Sequence, residues 1–338
     1  MSEKQLSLDI EGSENSILTD RQTDRQTEDS WLDNDFLLQD RIQKIQQIVN
    51  QYGEENFYIS FSGGKDSTVL HELVDMALPG NTIPRVYANT GIELNMIRDF
   101  VFEKAKNDSR FEIIKPSVPI KQMLEEYGYP FKSKVHAHCV NLFQTDPSKN
   151  MWKGYTGQRP EQWHTRECPK KLMYQFTDKN KLRISDMCCL KMKEEPLINW
   201  AKENNKDIAI IGIMMDEGGR RTRSTCLRFS GKKLMKFQPL VPITKNWEDW
   251  FIDKYNIKIC DIYIDPYNFP RTGCKGCPFA LNLQEELDTL EKYFPNERKQ
   301  CELIWKPVYD EYRRIGYRLK PEENIQIAGQ MSIFDYGC

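Results

Sequence analysis

Residues 56 to 76 constrain the fold more than any other stretch: Asn-Phe-Tyr-Ile-Ser-Phe-Ser-Gly-Gly-Lys-Asp-Ser-Thr-Val-Leu-His-Glu-Leu-Val-Asp-Met. An apolar, β-prone run (Phe57, Tyr58, Ile59, Phe61) breaks at Gly63-Gly64, and apolar residues at helical spacing (Val69, Leu70, Leu73, Met76) follow at once. Strand, tight turn and helix in that order are half of a βαβ unit.

The turn is suited to anions. Two glycines let a ligand come close and allow positive φ, and the first N–H groups of the helix have no acceptor within it. Such a helix start attracts phosphate or sulfate by dipole and by hydrogen bonds. Ser62, Ser67 and Thr68 add hydroxyls, Lys65 adds a cation, and Asp66 can cap the helix or help hold Mg²⁺. The spacing is not that of the Walker loop, which needs G-x-x-x-x-G-K-[ST]. The hexapeptide Ser62-Gly63-Gly64-Lys65-Asp66-Ser67 instead resembles the PP-loop of the adenine nucleotide alpha-hydrolase superfamily. Members of that superfamily split ATP between its α and β phosphates or handle adenylyl sulfates.

A chain of 338 residues can bury one large core or two modest ones. No apolar run reaches membrane-spanning length, and the polar, acidic start lacks an apolar leader core, so no membrane association and a cytoplasmic location are expected. Ten cysteines in such a chain point to metal or redox chemistry rather than to a disulfide framework. With a net charge of −2 there is no global basic signature, so any contact with DNA or tRNA must come from local patches.

Residues 1–34 read as a disordered tail, residues 35–260 as the nucleotide domain, residues 261–320 as a helical region with a Cys-x-x-Cys, and residues 321–338 as a second tail. Gln5-Leu6-Ser7-Leu8-Asp9 and, more closely, Gln330-Met331-Ser332-Ile333-Phe334 resemble the peptide that docks onto the bacterial sliding clamp; plain tails are the other reading. A helix is expected from Phe36 to Tyr52, strands at Arg85–Ala88 and Phe111–Ile114, and a helix from Met96 to Ala105. The loop Asn89-Thr90-Gly91 should open at the carboxyl edge of the sheet, where ligands bind in open α/β folds. After a short helix ending at Gly128-Tyr129-Pro130, residues 131–170 read as irregular, basic and aromatic. They hold His136, His138, Cys139 and His164, which form either a substrate loop or surface, or a metal cluster of unusual spacing. A helix over Glu194–Asn204 leads to the strand Ile208–Ile213, which includes Gly212. Beyond it, Arg220, Arg221 and Arg223 beside Gly218-Gly219 are expected to make an anion site, because guanidinium forks match phosphate or sulfate oxygens in pairs; a solvated basic loop is the other reading. A further strand at Lys236–Val241, a helix carrying Trp247 and Trp250, and a helical pattern from Leu281 to Arg314 broken near Pro295 and Pro307 complete the chain.

Cys188-Cys189 and Cys274-x-x-Cys277 supply four thiolates, the number that an iron-sulfur cubane or a structural zinc requires. Adjacent cysteines rarely share one zinc tetrahedron, which favours 4Fe-4S over zinc.

Taken together, the PP-loop, Asn89-Thr90-Gly91, Gly128-Tyr129-Pro130 with Ser133-Lys134, the run from Cys188 to Leu197 and Thr272-Gly273-Cys274-x-x-Cys277 resemble the phosphoadenosine phosphosulfate reductase family, in its bacterial and phage-borne branch. The resemblance spans residues 40 to 315 or so. It implies a PP-loop, Rossmann-like α/β fold with a mostly parallel sheet flanked by helices and a helical C-terminal segment. It also implies a 4Fe-4S cluster on Cys188, Cys189, Cys274 and Cys277, with Cys226 as a fifth candidate, and a site for ATP or an adenylyl sulfate. That site would draw on Ser62–Thr68, Asn89–Gly91, Gly212 and Arg221, with Lys65, Asp66, Arg220 and Arg223 acting on the phosphates. Two departures stand out. Nothing matches the Glu-Cys-Gly-Leu-His-like tail that carries a nucleophilic cysteine, with Cys338 either an accidental last residue or an imitation of that cysteine, and the loop keeps its lysine where the reductases tend to lose it. Intact loops accompany ATP cleavage to AMP and pyrophosphate, as in ATP sulfurylases, tRNA thiolation enzymes and DNA phosphorothioation enzymes; a non-catalytic nucleotide-binding subunit of a defence or mobile-element complex is the alternative from another class.

Overall fold

The computed structural model describes residues 34–159, 161, 167–215 and 224–321. Among the described residues, six strands form one sheet: β1 (Phe57–Ser60), β2 (Arg85–Ala88), β3 (Phe111–Ile114), β4 (Ile208–Ile210), β5 (Leu227–Ser230) and β6 (Lys233–Phe237), in the order β3-β2-β1-β4-β6-β5. β1 runs parallel to both β2 and β4, with Phe57 opposite Ile208, and β4 runs parallel to β6. Only the edge strand β5 is shown antiparallel, as a hairpin on β6. The sheet is therefore mostly parallel, as expected.

Side chains of β1 alternate between two buried layers. Phe57 and Ile59 enter a core built with α1 (residues 34–52), α2 (Lys65–Ala77) and α9 (Lys245–Lys254), while Tyr58 packs with Val86, Trp200 and Ala209. Helices on both faces explain why the strand reads as a continuous apolar run.

The chain separates into two compact units, each drawn from several stretches. One comprises Met1–Tyr87, Asp99–Ile114 and Leu197–Cys260; the other comprises Ala88–Arg98, Lys115–Pro196 and Asp261–Cys338. The remaining helices are α3 (Asn95–Asn107), α4 (Ile120–Tyr127), α5 (Lys134–Thr145), α6 (Met151–Tyr155), α7 (Met187–Cys189), α8 (Glu195–Glu203), α10 (Leu283–Tyr293) and α11 (Pro295–Ile315), with a π-helical turn at Leu190–Glu194.

Four expectations need correction. Residues 131–159, the described run at the start of the stretch 131–170, are not irregular: Ser133 caps α5 by accepting from the His136 N–H at 3.2 Å, and Phe143, Trp152, Tyr155 and Phe176 form an aromatic core with α6. His136 lies inside that core, its ring bonded to Tyr155 and Gln175, so the polar residues of this stretch concealed a packed layer. Pro307 does not break α11, because Trp305, Val308, Tyr309 and Tyr312 bury the helix on either side of it. The strand expected at Lys236–Val241 ends at Phe237, just ahead of Pro239, which has no N–H for a ladder. The strand expected at Ile208–Ile213 stops at Ile210.

Candidate functional site

β1 and β4 are neighbours whose onward connections leave toward opposite edges of the sheet. That is the topological switch point of an open α/β sheet, where a crevice forms beyond the strand ends. The loop after β1 is the Ser62–Gly64 turn, and Gly63 takes φ +74°. Gly64 is the N-cap of α2 and no side chain caps the helix. The loop is pinned from within: Ser67 Oγ accepts from the Ser62 N–H at 3.2 Å and donates to the Gly64 carbonyl at 3.0 Å, and Thr68 Oγ1 donates to the same carbonyl at 3.0 Å. Ser67 and Thr68 thus shape the loop. On the β4 side, a Cβ on Gly212 would lie 3.0 Å from the Asp66 carbonyl oxygen and 3.4 Å from the Ser67 nitrogen, so glycine is what lets the two backbones meet.

Lys65 reaches α9. Its Nζ lies 2.8 Å from Asp249 Oδ1 and 3.3 Å from Glu248 Oε2. Burial works against its charge, but the bond to Asp249 and the charge of Glu248 outweigh burial and hold its pKa above the ordinary lysine value. Glu248 is the opposite case: burial first, and then the charge of Asp66, push its carboxyl up to about 8 against the pull of Lys65.

In the other unit, Cys188, Cys189, Cys274 and Cys277 line one cavity together with Lys193 and Trp305. Burial, and after it the neighbouring sulfurs of Cys274, Cys189 and Cys277, raise the Cys188 thiol far above its usual range. The two halves come from different elements. Cys188 and Cys189 end α7 just before the π-helical turn, a feature that often marks functional positions. The Cys-x-x-Cys loop is held by α11, whose Trp305 Nε1 donates to the Lys275 carbonyl at 2.9 Å and whose Tyr312 hydroxyl donates to the Pro278 carbonyl at 2.9 Å. Lys193 Nζ lies 3.5 Å from Glu93 Oε1, and Glu93 accepts from the Thr90 N–H at 3.1 Å and the Thr90 hydroxyl at 2.6 Å. Glu93 also bridges to Cys274 through the backbone, and the Lys275 N–H donates to the Ile92 carbonyl at 2.7 Å. Within this unit the Thr90–Glu93 loop is therefore tied both to Lys193 and to the backbone of the Cys-x-x-Cys loop.

The sequence profile of the phosphoadenosine phosphosulfate reductase domain matches residues 56–185 and 162–280, well over half of the chain. The chain belongs to the phosphoadenosine phosphosulfate reductase family. No curated protein sequence matches it significantly. Among solved structures it is similar to the phosphoadenylyl-sulfate reductase of Candida auris in its phosphate complex, at 12% identity over 64% of this chain and 82% of that one, with a TM-score of 0.37. It is also similar to the FMN adenylyltransferase of Candida glabrata, at 13% identity over 70% of this chain and 61% of that one, TM-score 0.40. A third similar structure is the U34-tRNA thiolase of Methanococcus maripaludis with its 4Fe-4S cluster, at 15% identity over 81% of this chain and 80% of that one, TM-score 0.37.

In this family member Ser62–Thr68 and Gly212 gather at one sheet edge, and Asn89–Gly91 and the four cysteines gather in the second unit. Cys226 stands in the first unit, ahead of β5 and against the core, with Arg41 and Lys44 near its thiol. Arg220, Arg221, Arg223, His164, both clamp-like peptides and Cys338 lie outside the described residues. Among the described residues, no three His, Cys, Asp or Glu side chains are grouped so as to hold a metal ion. No helix is long and apolar enough to cross a membrane among these residues. Sequence reading missed Glu248 and Lys193. A glutamate between two tryptophans and a lysine in a charged run carry no local signal, and only packing gives them their positions.

Proposed function

We propose that this chain is an ATP-cleaving PP-loop enzyme that forms AMP and pyrophosphate and couples that step to sulfur chemistry. The observation that carries the reading is the uncapped start of α2 at the switch point, with Gly212 admitting close backbone approach and Lys65 alongside. Helix N–H groups at Lys65–Ser67 and the hydroxyl of Ser62 would hold the phosphates, and Asp66 would assist Mg²⁺. Arg220, Arg221 and Arg223, which follow β4 in sequence, would neutralise the departing pyrophosphate. The retained lysine favours ATP over an adenylyl sulfate.

The four thiols that line one cavity supply the donor set of a 4Fe-4S cluster, which Cys188, Cys189, Cys274 and Cys277 would hold by drawing closer together than the structure places them. When bound, such a cluster supplies a redox-active, sulfur-binding centre. Lys193 places a half-buried cation beside Cys274, and Glu93, itself bonded to Thr90, keeps that cation in position. The test is anaerobic purification followed by assay of AMP and pyrophosphate release from ATP. Untouched ATP, with sulfite released from an adenylyl sulfate and a thiol reductant, would make the chain a reductase instead.

A nucleic-acid acceptor is the second reading, favoured by one feature. A cleft of about 670 Å³ is lined by Lys171, Lys179, Lys181 and Arg314, and its one acid, Glu311, is already engaged by Arg314 at 2.6 Å. A local basic cleft on a chain of net charge −2 suits a phosphodiester backbone. AMP formation stimulated by DNA or tRNA, and lost on changing the three lysines to glutamate, is the expected result. Identical rates with and without nucleic acid would remove this reading.

A further inference from the structure

Glu248 lies in the first turn of α9 with a side chain only 1% exposed. Oε2 is 3.3 Å from Lys65 Nζ, while Oε1 is buried without a hydrogen-bond partner among the described residues. A buried carboxylate is costly unless it is paired, and here the pairing cation is the lysine of the phosphate loop. Lys65 has a second, solvent-side partner in Asp249, whose side chain is 60% exposed. The lysine is therefore held between a wet carboxylate that solvent screens and a dry one that depends on it.

We propose that Glu248 is the positioning residue of the phosphate loop: it tethers Lys65 while no nucleotide is bound, and it takes up a proton when Lys65 moves onto a bound phosphate. This rests on the nucleotide occupying the start of α2. In the exchange, the ammonium of Lys65 stays charged, its contact passes from Glu248 to a phosphate oxygen, and one proton from solvent neutralises Glu248. An ionised Glu248 left behind would face Asp66 and an incoming polyphosphate with no cation of its own. The charged groups that act on it are Lys65 and Asp66 from α2 and Asp249 on its own helix, which begins at Lys245; Asp35 of α1 is engaged by Lys254 at the far end of α9. Burial and then the charge of Asp66 push its carboxyl up to about 8 even with Lys65 in place, so the tether is an ion pair, and a proton is there to be taken up, only above that pH. Removing that cation and adding phosphate raises it further, so nucleotide affinity falls as pH climbs through that value.

The test is calorimetric titration of the full chain with α,β-methylene-ATP, which cannot be cleaved at the α–β bridge, at pH 8.5 in two buffers of different ionisation enthalpy. The wild type should take up about one proton per nucleotide, and its affinity should fall by up to about tenfold per pH unit between pH 8 and 9. Glu248→Gln should show neither effect, whereas Asp249→Asn should keep the proton uptake. Binding with equal heats in both buffers would overturn the proposal and leave the nucleotide site standing. No binding at any pH from 7 to 9 would overturn the nucleotide site and the proposal together.

Discussion

At the scale of single residues, the site rests on a few positions without substitutes. Gly212→Val would drive a side chain into the Asp66 carbonyl, where backbone cannot yield as a flexible side chain does. It should cost about 1–3 kcal/mol in urea denaturation, and nucleotide binding should weaken even where the protein stays folded. Lys65→Ala removes charge-assisted bonds that are each worth about 1.5–3 kcal/mol, so ATP affinity should fall roughly 10–100-fold in equilibrium binding. Cys274→Ser tests the thiol centre: the anaerobically purified variant should lose the brown colour and visible absorbance of an iron-sulfur cluster, and a variant with the wild-type spectrum would refute the ligand assignment. Lys65 and Cys274 were legible because their neighbours in sequence announce them. Glu248 was not, because a carboxylate acquires its role here from a lysine 183 positions away.

At the scale of elements, local signals succeeded where steric rules or strong periodicity spoke. The turn at Gly63-Gly64 and the helix that follows are written into residues 57–76, and Pro295 sits at the start of α11, where its missing N–H is harmless. They failed where tertiary burial overrides propensity. Pro307 stays inside α11 because buried aromatic residues around it fix the helix against the Cys-x-x-Cys loop. Relieving that conflict should help the helix: Pro307→Ala should stabilise the protein by about 1–3 kcal/mol in urea denaturation. The edge strand β5 had no signature, since three of its four residues are exposed and it is ordered by pairing with β6.

At the scale of the whole molecule, buried neutral histidines set the acid limit of the fold. His71 accepts a hydrogen bond from Arg85 Nε at 3.0 Å, and burial, followed by the charge of Arg85, pushes its pKa down to about 3. Burial lowers His136 to about 4. Both titrate near 6.5 once unfolded, so the unfolded chain binds more protons below that pH; the stability they contribute is complete above pH 6.5 and is lost as pH falls toward 4. The loss should be on the order of 2 kcal/mol per histidine at pH 5, read as a lower urea midpoint than at pH 7.5. A midpoint unchanged between those pH values would show that the histidines are not held neutral. By itself the sequence determined the strand–turn–helix of the phosphate loop, the α/β class and both cysteine segments, because these follow from φ restrictions, apolar periodicity and residue types adjacent in the chain. Only the tertiary structure decided that Cys188-Cys189 meets Cys274-x-x-Cys277, that Gly212 closes on α2, and that Lys65 rests on Glu248. Those are meetings between distant segments, fixed by how helices pack on a sheet, and no local pattern encodes them.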